Sequence, residues 1–172
     1  MDIEILREAG YEEALLGLSL NKNQKVESMV TVADKLAHKD GGHNKFMESI
    51  QVWIDIIAPR YWWSQFDTYR VGVTKQSEST MHTGLSRPLE ALDFEGGIDC
   101  SRLRELNFYI EQKEFDKFKK MLPESFLQRR VVNTNYKALR NIYKQRKNHR
   151  LNEWKEFCSY IARDLEFGHW LD

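Results

Sequence analysis

The sequence predicts a mixed α/β fold, and three observations support this class. Apolar residues alternate with charged ones over residues 2–8 and recur at every second position over 49–58, a pattern typical of strands. Apolar residues recur at helical spacing over 27–38 and 103–122, and again from residue 135 onward. The 172 residues, 41% hydrophobic and 30% charged with only three prolines, predict one folded domain over residues 1–172.

The strands come first in the chain order. Ile3 and Ile5 alternate with charges in the opening strand, which Gly10 ends. A helix follows over 27–38, with Ser28 as its cap, and the next strand covers 49–58.

From Pro59 onward the sequence predicts helices that are separated by a loop. A helix begins near Pro59, buries Trp62 on one side and ends at Gly72. Residues 71–98 are rich in Ser, Thr and Gly, and we predict a loop with short helical turns there. Two helices broken near Lys113 precede Pro123, and one long helix then runs from near Asn135.

The composition excludes several classes of protein. No apolar run approaches the ~20 residues that span a bilayer, and the opening MDIEILREAG carries acidic residues where a secretory signal is basic. We therefore predict a cytoplasmic protein without a membrane segment. Cys100 and Cys158 have neither metal-ligand nor redox spacing, so no metal site is predicted and each is interpreted as a buried thiol.

The charges are unevenly distributed along a chain whose 26 basic and 26 acidic residues balance. Eight Lys and Arg residues and no acid lie between Arg129 and Arg150, which we call the basic block. Such a block on a neutral protein favours an anionic ligand, such as a nucleotide phosphate or a nucleic acid. A solvated helix face is the alternative interpretation.

Polar side chains concentrate in QFDTYRVGVTKQSESTMHT (65–83) and NTNYKALRNIYKQRKNHR (133–150). In the second segment Asn135 and Arg146 fall on nearly one helical face. An arginine beside amides suits a pyrimidine ring and a phosphate, because its planar guanidinium pairs with two acceptors at once. An arginine in an ion-pair network would give the same pattern.

Two ungapped stretches resemble the flavin-dependent thymidylate synthases. DGGHNKFMESIQVWIDIIAPRYWWSQFDTYR is similar to the segment in which a Gly-His turn leads to a Glu-bearing strand, Ala-Pro and a helix with a Gln and the signature RHRxxSxNExSxRY. MLPESFLQRRVVNTNYKALRNIYKQR is similar to the later LP…N…L…LR segment. The specificity lies in the order and spacing of these motifs, and the resemblance as a whole covers about three quarters of the chain.

The resemblance implies a central, mostly antiparallel sheet flanked by helices, including a long C-terminal helix. It implies a homotetramer with active sites between subunits, FAD as the cofactor, and transfer of a one-carbon unit from methylenetetrahydrofolate to C5 of dUMP with NADPH as reductant. A compact, phage-like version of the enzyme fits the short chain.

The same resemblance assigns roles to individual positions. Arg146 is the implied catalytic residue on the uracil ring, and Gln65 joins it in binding dUMP. A loop for the dUMP phosphate is implied at Glu78, Ser79, Thr80 and His82. The implied flavin-contacting positions are Arg70, Asn135, Arg150 and Ser49.

The sequence departs from the family pattern at several places, among them Ser49 and Arg150, which stand where the family has His. Thr68 and Tyr69 replace the first two residues of Arg-His-Arg, and KQSESTMHT stands in place of NExSxRY with two residues inserted. The alternative is therefore a non-catalytic pyrimidine-nucleotide-binding or regulatory protein on the same fold that has lost flavin. A nucleic-acid-binding module that uses the basic block is the third and least favoured interpretation.

Overall fold

Four strands form one antiparallel sheet in the order β1-β2-β4-β3. The strands are β1 (Asp2–Ala9), β2 (Gln51–Pro59), β3 (Thr74–Ser77) and β4 (Leu127–Asn135). The structure is a computed structural model that describes the backbone of residues 1–172 and all side chains except those of Lys22, Met81 and His82. The predicted α/β class is confirmed.

Helices occupy most of the remaining chain. They are α1 (Tyr11–Lys22), α2 (Met29–Ala37), α3 (Arg60–Phe66), α4 (Thr80–Thr83), α5 (Cys100–Glu111), α6 (Phe115–Met121), α7 (Tyr136–Arg146) and α8 (Asn152–Asp164). Short 3-10 turns lie at Val26–Ser28, Lys45–Glu48, Ala91–Asp93 and Gly168–Leu171. None of the helices described here is long and apolar enough to cross a membrane.

The chain divides into two compact units. The first unit contains Met1–Asp2, Ile56–Thr68 and Gln76–Arg130, and the second contains Ile3–Asp55, Tyr69–Lys75 and Val131–Asp172. The chain passes from one unit to the other within each of the four strands and once more between Thr68 and Tyr69. One domain over residues 1–172 stays a prediction.

The core of the first unit is aromatic. Trp62 and Trp63 are fully buried and pack edge to face, with ring centroids 4.9 Å apart, so the predicted burial of Trp62 is confirmed. Helices α5 and α6 enclose a second cluster around Phe118. Their break falls at Lys113, whose φ of 57° is left-handed, and this confirms the predicted break.

The core of the second unit lies around α7, α8 and the last 3-10 turn. Tyr136, Trp154 and Trp170 are fully buried there. The predicted single long C-terminal helix is wrong, because α7 ends at Arg146 and α8 begins at Asn152. The residues between them are polar apart from Leu151, so no apolar stripe continues the helix, and the turn closes when the His149 amide donates to the Arg146 carbonyl at 2.9 Å.

Several local predictions differ from the structure. Helix α3 ends at Phe66 rather than Gly72, since Thr68 Oγ1 donates back to the Gln65 carbonyl at 2.7 Å. Ser28 caps no helix amide, because its hydroxyl donates to the Lys25 carbonyl at 2.7 Å. Cys100 is exposed at the start of α5, whereas Cys158 is buried as predicted.

Asp93 should make stability in the first unit depend on pH. Its carboxylate accepts from the Arg87 guanidinium at 2.5 and 2.8 Å and from the Glu90 amide at 2.7 Å. These hydrogen bonds, that from Arg87 first, hold the pKa of Asp93 below its usual value. A carboxyl with a lowered pKa in the folded state stabilises the protein above its unfolded-state pKa, and loses that effect as the pH falls through the folded-state pKa.

We expect Asp93→Asn to lower the free energy of unfolding at pH 7 by about 1 kcal/mol. The deficit should begin to shrink below about pH 4, the ordinary pKa of an aspartate, and should be lost as the pH falls through the lower folded-state pKa. Urea unfolding at pH 7 and pH 3 measures this, with Asp116→Asn, which removes an exposed pair with Lys120, as a nearly neutral control. A deficit of equal size at both pH values would contradict the prediction.

Candidate functional site

Arg146 is partly buried between two aromatic side chains at the end of α7. Its guanidinium carbon lies 4.8 Å from the centroid of the Trp154 ring and 5.6 Å from that of Tyr69. Its Nε donates to the Tyr69 hydroxyl at 2.8 Å. Cation–π contacts and a hydrogen bond therefore fix the orientation of the arginine that the sequence assigns to the uracil ring.

The turn after Arg146 is positively charged. Burial lowers the pKa of His149, and the charges of Arg146 and Arg150 lower it further. Arg150 is exposed. Because His149 is neutral more readily here, the two arginines carry the positive potential of the turn, which favours an anion.

A cleft opens beside the first turn of α7 in the second unit, and we call it the α7 cleft. Its volume is 780 Å³, a size that suits a small-molecule site. It is lined by Asp40, Glu48, Val71, Gly72, Asn135, Lys137, Ala138, Arg140, Asn141 and Lys144. Three cations and two acids thus give the lining a net positive charge.

Asn135 has a structural role at this cleft. Its Oδ1 accepts from the Ala138 amide at 2.9 Å and caps α7. Gly72, with φ of 68°, packs so closely that a Cβ there would lie 2.6 Å from Asn135 Nδ2. The segment at Gly72, just after Arg70, therefore packs tightly against Asn135. Thr134 Oγ1 also donates to the Gly72 carbonyl at 3.0 Å.

The cations of the α7 cleft are partly neutralised. Arg140 is buried and donates to Asp40 at 2.8 Å and to the carbonyls of His38 and Trp170. The hydrogen bond from Arg140 and its positive charge hold the pKa of Asp40 below its usual value, so the acid stays ionised. Lys137 donates to Asn44, whereas Lys144 lies 3.6 Å from Asp40 and is half exposed. Lys144 is the cation of the cleft that an anion could reach.

Arg70 differs in charge and in hydrogen bonding from Thr68 and Tyr69, the two substituted residues before it. Arg70 is exposed, and no ion pair joins it to any side chain that the structure describes. Thr68 is occupied by its turn with Gln65, and Tyr69 is occupied by Arg146. Of the three residues in the Arg-His-Arg position, Arg70 alone combines a full positive charge with exposure.

The predicted phosphate loop lies in the first unit, after β3. Glu78 is exposed and accepts from Thr83 Oγ1 at 3.2 Å, while Ser79 precedes the short helix α4. Thr80 is buried, and Lys119 Nζ donates to its hydroxyl. His82 lies outside the described side chains.

Lys119 on α6 contacts this loop, and no spacing in the sequence predicts that contact. Burial, and then the charge of Arg60, lower the pKa of its ammonium group. Arg60 itself lies 3.2 Å from Glu124. The loop therefore has hydroxyls and a cation, the groups that hold phosphates. Only the contact with Thr80, 39 positions away in the chain, reveals Lys119.

Gln65 lies near the end of α3 in the first unit and is partly buried. Ser49 follows a 3-10 turn in the second unit, where its hydroxyl donates to the Phe46 carbonyl at 2.7 Å. Ser49 and His43 line a second cavity of 680 Å³ against α1. The structure thus places Asn135 in the α7 cleft and Ser49 in a different cavity, although the sequence assigns both to flavin.

The predicted residues fall into two groups, one in each unit. Gln65, Glu78, Ser79 and Thr80 belong to the first unit, and Arg146, Arg150, Arg70, Asn135 and Ser49 belong to the second. Among the described side chains, no group of three or more His, Cys, Asp or Glu is placed to hold a metal ion.

This combination of sheet and helices has counterparts among solved structures. The chain has the flavin-dependent thymidylate synthase fold, as the two resembling sequence stretches predict. No protein-family model and no curated protein matches the sequence.

Two of the matched structures are of the flavin-dependent thymidylate synthase ThyX from Helicobacter pylori, in complex with FAD and dUMP. One has a TM-score of 0.82 at 14% sequence identity, over 99% of this chain and 96% of that chain. Another has a TM-score of 0.77 at 15% identity, with the same coverage of both chains. Similarity at this level of identity establishes the fold.

Proposed function

We propose that this chain is a divergent flavin-dependent thymidylate synthase that methylates dUMP, or a related pyrimidine nucleotide, at C5. Methylenetetrahydrofolate would donate the carbon, and NADPH would be the reductant. The observation that carries the proposal is the fixed guanidinium of Arg146, at the position that the sequence resemblance assigns to the uracil ring. The match in fold to enzymes that hold FAD and dUMP supports it.

Arg146 would act on the pyrimidine ring. Its planar guanidinium can donate two hydrogen bonds to one carbonyl or to two acceptors. When C5 becomes nucleophilic, negative charge develops on the ring oxygens, and donors already in place stabilise that charge. The contacts with Tyr69 and Trp154 reduce the reorganisation that this step requires.

The nucleotide phosphate would bind the loop after β3. Ser79 and Thr80 offer hydroxyls, and Lys119 brings a cation to Thr80. A phosphate accepts from both kinds of group, which compensates for the arginine that the family signature would place at His82. Gln65 is the proposed amide partner of dUMP.

The α7 cleft is the proposed flavin site. Its net positive lining and the exposed cation Lys144 suit a diphosphate, and the exposed Arg70 directly precedes Val71 of that lining in the chain. The amides of the first turn of α7 add the favourable potential of a helix N-terminus. When bound, FAD would supply the reducing equivalents of the methylation. The cleft fits an anionic cofactor through these groups rather than through Thr68 and Tyr69.

The proposal extends to assembly. A homotetramer would let the two groups of predicted residues come from different copies of the chain, and light scattering after size-exclusion chromatography measures the mass. The flavin-free nucleotide-binding alternative draws no support from the two Helicobacter pylori structures, since both are complexes with FAD.

The test combines three measurements on the purified protein. Visible absorption with and without added FAD reports flavin, a thermal-shift titration with dUMP reports the nucleotide, and product formation with all substrates reports the enzyme. Stabilisation by dUMP together with flavin absorption and dTMP formation is the expected result. Absence of both binding signals would leave the fold alone.

Asn135 allows the flavin proposal to be tested separately from helix capping. Asn135→Ser keeps a capping oxygen but removes the amide donor, whereas Asn135→Ala removes both. We expect the Ser variant to melt close to the parent, and the Ala variant to lose about 1 kcal/mol of unfolding free energy. Both should bind FAD about tenfold more weakly if the amide donates to the flavin, as measured by quenching of flavin fluorescence. Parent-like FAD affinity in the Ser variant would restrict Asn135 to capping.

A further inference from the structure

Tyr69 holds the arginine of the proposed site through its hydroxyl. Arg146 Nε donates to Tyr69 Oη at 2.8 Å, and Tyr69 Oη donates to Gln145 Oε1 at 3.1 Å. Gln145 Nε2 in turn donates to Asn141 Oδ1 at 2.9 Å. The phenol therefore accepts from Arg146 and donates to Gln145, the residue before it, so one hydroxyl links the guanidinium to the preceding turn of α7.

The ring of Tyr69 is also held in place. Its centroid lies 6.1 Å from that of Trp154, with the ring planes at 74°. Lys75 Nζ donates to the Tyr69 carbonyl at 3.4 Å, which fixes the backbone of the same residue. Trp154 is fully buried and therefore offers a rigid surface. Two aromatic rings nearly perpendicular to each other thus enclose one guanidinium.

This arrangement decides where the donors of Arg146 point. An arginine side chain has several rotatable bonds, and much of its freedom is lost when it binds a ligand. A hydrogen bond at Nε and contacts with two rings restrict the guanidinium before the ligand arrives. A ligand that needs that orientation then binds more tightly, because less side-chain freedom remains to be lost.

We propose that Tyr69 is a positioning residue that orients Arg146 for the carbonyl groups of uracil, and so favours uracil nucleotides over cytosine nucleotides. The proposal rests on the proposed function of Arg146. Uracil presents two carbonyl oxygens, whereas cytosine carries an amino group at C4, which cannot accept from a guanidinium. Position 69, which the family signature gives to flavin, would thus serve the nucleotide base in this chain.

Tyr69→Phe tests the proposal, since it removes the hydroxyl and keeps the ring. Isothermal titration of parent and variant with dUMP and with dCMP measures both affinities. We expect the affinity for dUMP to fall about tenfold and that for dCMP to stay within about twofold, so that the preference for uracil shrinks. Tyr143→Phe is the matched control, because the ring of Tyr143, like that of Tyr69, lies beside a cation, here Lys147 at 5.2 Å.

Each outcome is informative. A parent that does not bind dUMP overturns the proposed function itself. If the parent prefers dUMP and the Tyr69→Phe variant keeps the full preference, the proposed role of Tyr69 is overturned, but not that of Arg146. An equal loss for dUMP and dCMP also overturns it, because a purely structural role would weaken both ligands. If Tyr69→Phe melts much lower than the parent, Gln145→Ala is measured in its place. Gln145→Ala removes the acceptor of the Tyr69 hydroxyl, and it should also lower the preference for dUMP over dCMP.

Discussion

Replacement of Arg146 by alanine is expected to lower kcat/KM for dUMP methylation by about 100-fold or more while the protein stays folded. The lost groups are the two terminal donors that would stabilise negative charge on the pyrimidine ring. The fold should lose only about 1 kcal/mol, because the Trp154 surface loses a cation rather than an apolar neighbour. Steady-state kinetics and a melting curve measure the two effects.

Two further variants separate charge from geometry. Arg146→Lys keeps the charge and loses the planar fork, so an intermediate rate is expected. Arg163→Ala removes an exposed arginine that lies 5.3 Å from the Tyr160 ring in α8, and it should leave the rate unchanged. An Arg146→Ala variant that binds and converts dUMP as well as the parent would show that the site lies elsewhere.

Substitution of Gly10 by alanine should strongly destabilise the second unit. Gly10 joins β1 to α1 with φ of 98°, a conformation that costs a residue with a Cβ about 1–2 kcal/mol. A Cβ there would also lie 2.4 Å from the Ser49 carbonyl oxygen, and backbone cannot move as a flexible side chain does. We expect a total loss of about 3 kcal/mol or more, seen as a fall in Tm of about 10 °C.

Gly17 provides the control on the same helix. It lies within α1 without a positive φ, and a Cβ added there would meet no heavy atom within 4 Å. Gly17→Ala should therefore stabilise the protein by about 0.5–1 kcal/mol. If Gly10→Ala and Gly17→Ala melt at the same temperature, the close approach of Gly10 to Ser49 does not exist in solution.

Local pattern predicted the elements that bury one clear face. The strands predicted at the start of the chain and over 49–58 are β1 and β2 of the structure, since alternation of apolar and polar residues indicates a strand whatever its neighbours are. β4 escaped prediction because Gln128, Arg129 and Arg130 interrupt its apolar pattern. The charge of Arg130 is compensated by Asp67 at 3.0 Å and by the ring of Trp63 at 4.5 Å. Neither contact can be seen in the local sequence.

α1 escaped prediction for a different reason. Its apolar residues point in several directions, so that Ala14 and Leu15 are buried while Leu20 is 76% exposed. A helix without one apolar face has no periodic signal. The single long C-terminal helix was predicted because Trp154, Phe157 and Ile161 follow helical spacing, while the turn at 147–151, where the backbone leaves the helix, contains no proline or glycine to mark it.

For the candidate site, the sequence by itself determined which residues to consider. The order and spacing of two motifs pointed to the fold and to Arg146, because ungapped spacing preserves the position of each side chain on its strand or helix. Tertiary structure alone decided what surrounds them. The contacts of Tyr69 with Arg146, and of Lys119 with Thr80, join residues 77 and 39 positions apart in the chain. Such contacts depend on how distant elements pack, and local periodicity contains no information about that packing.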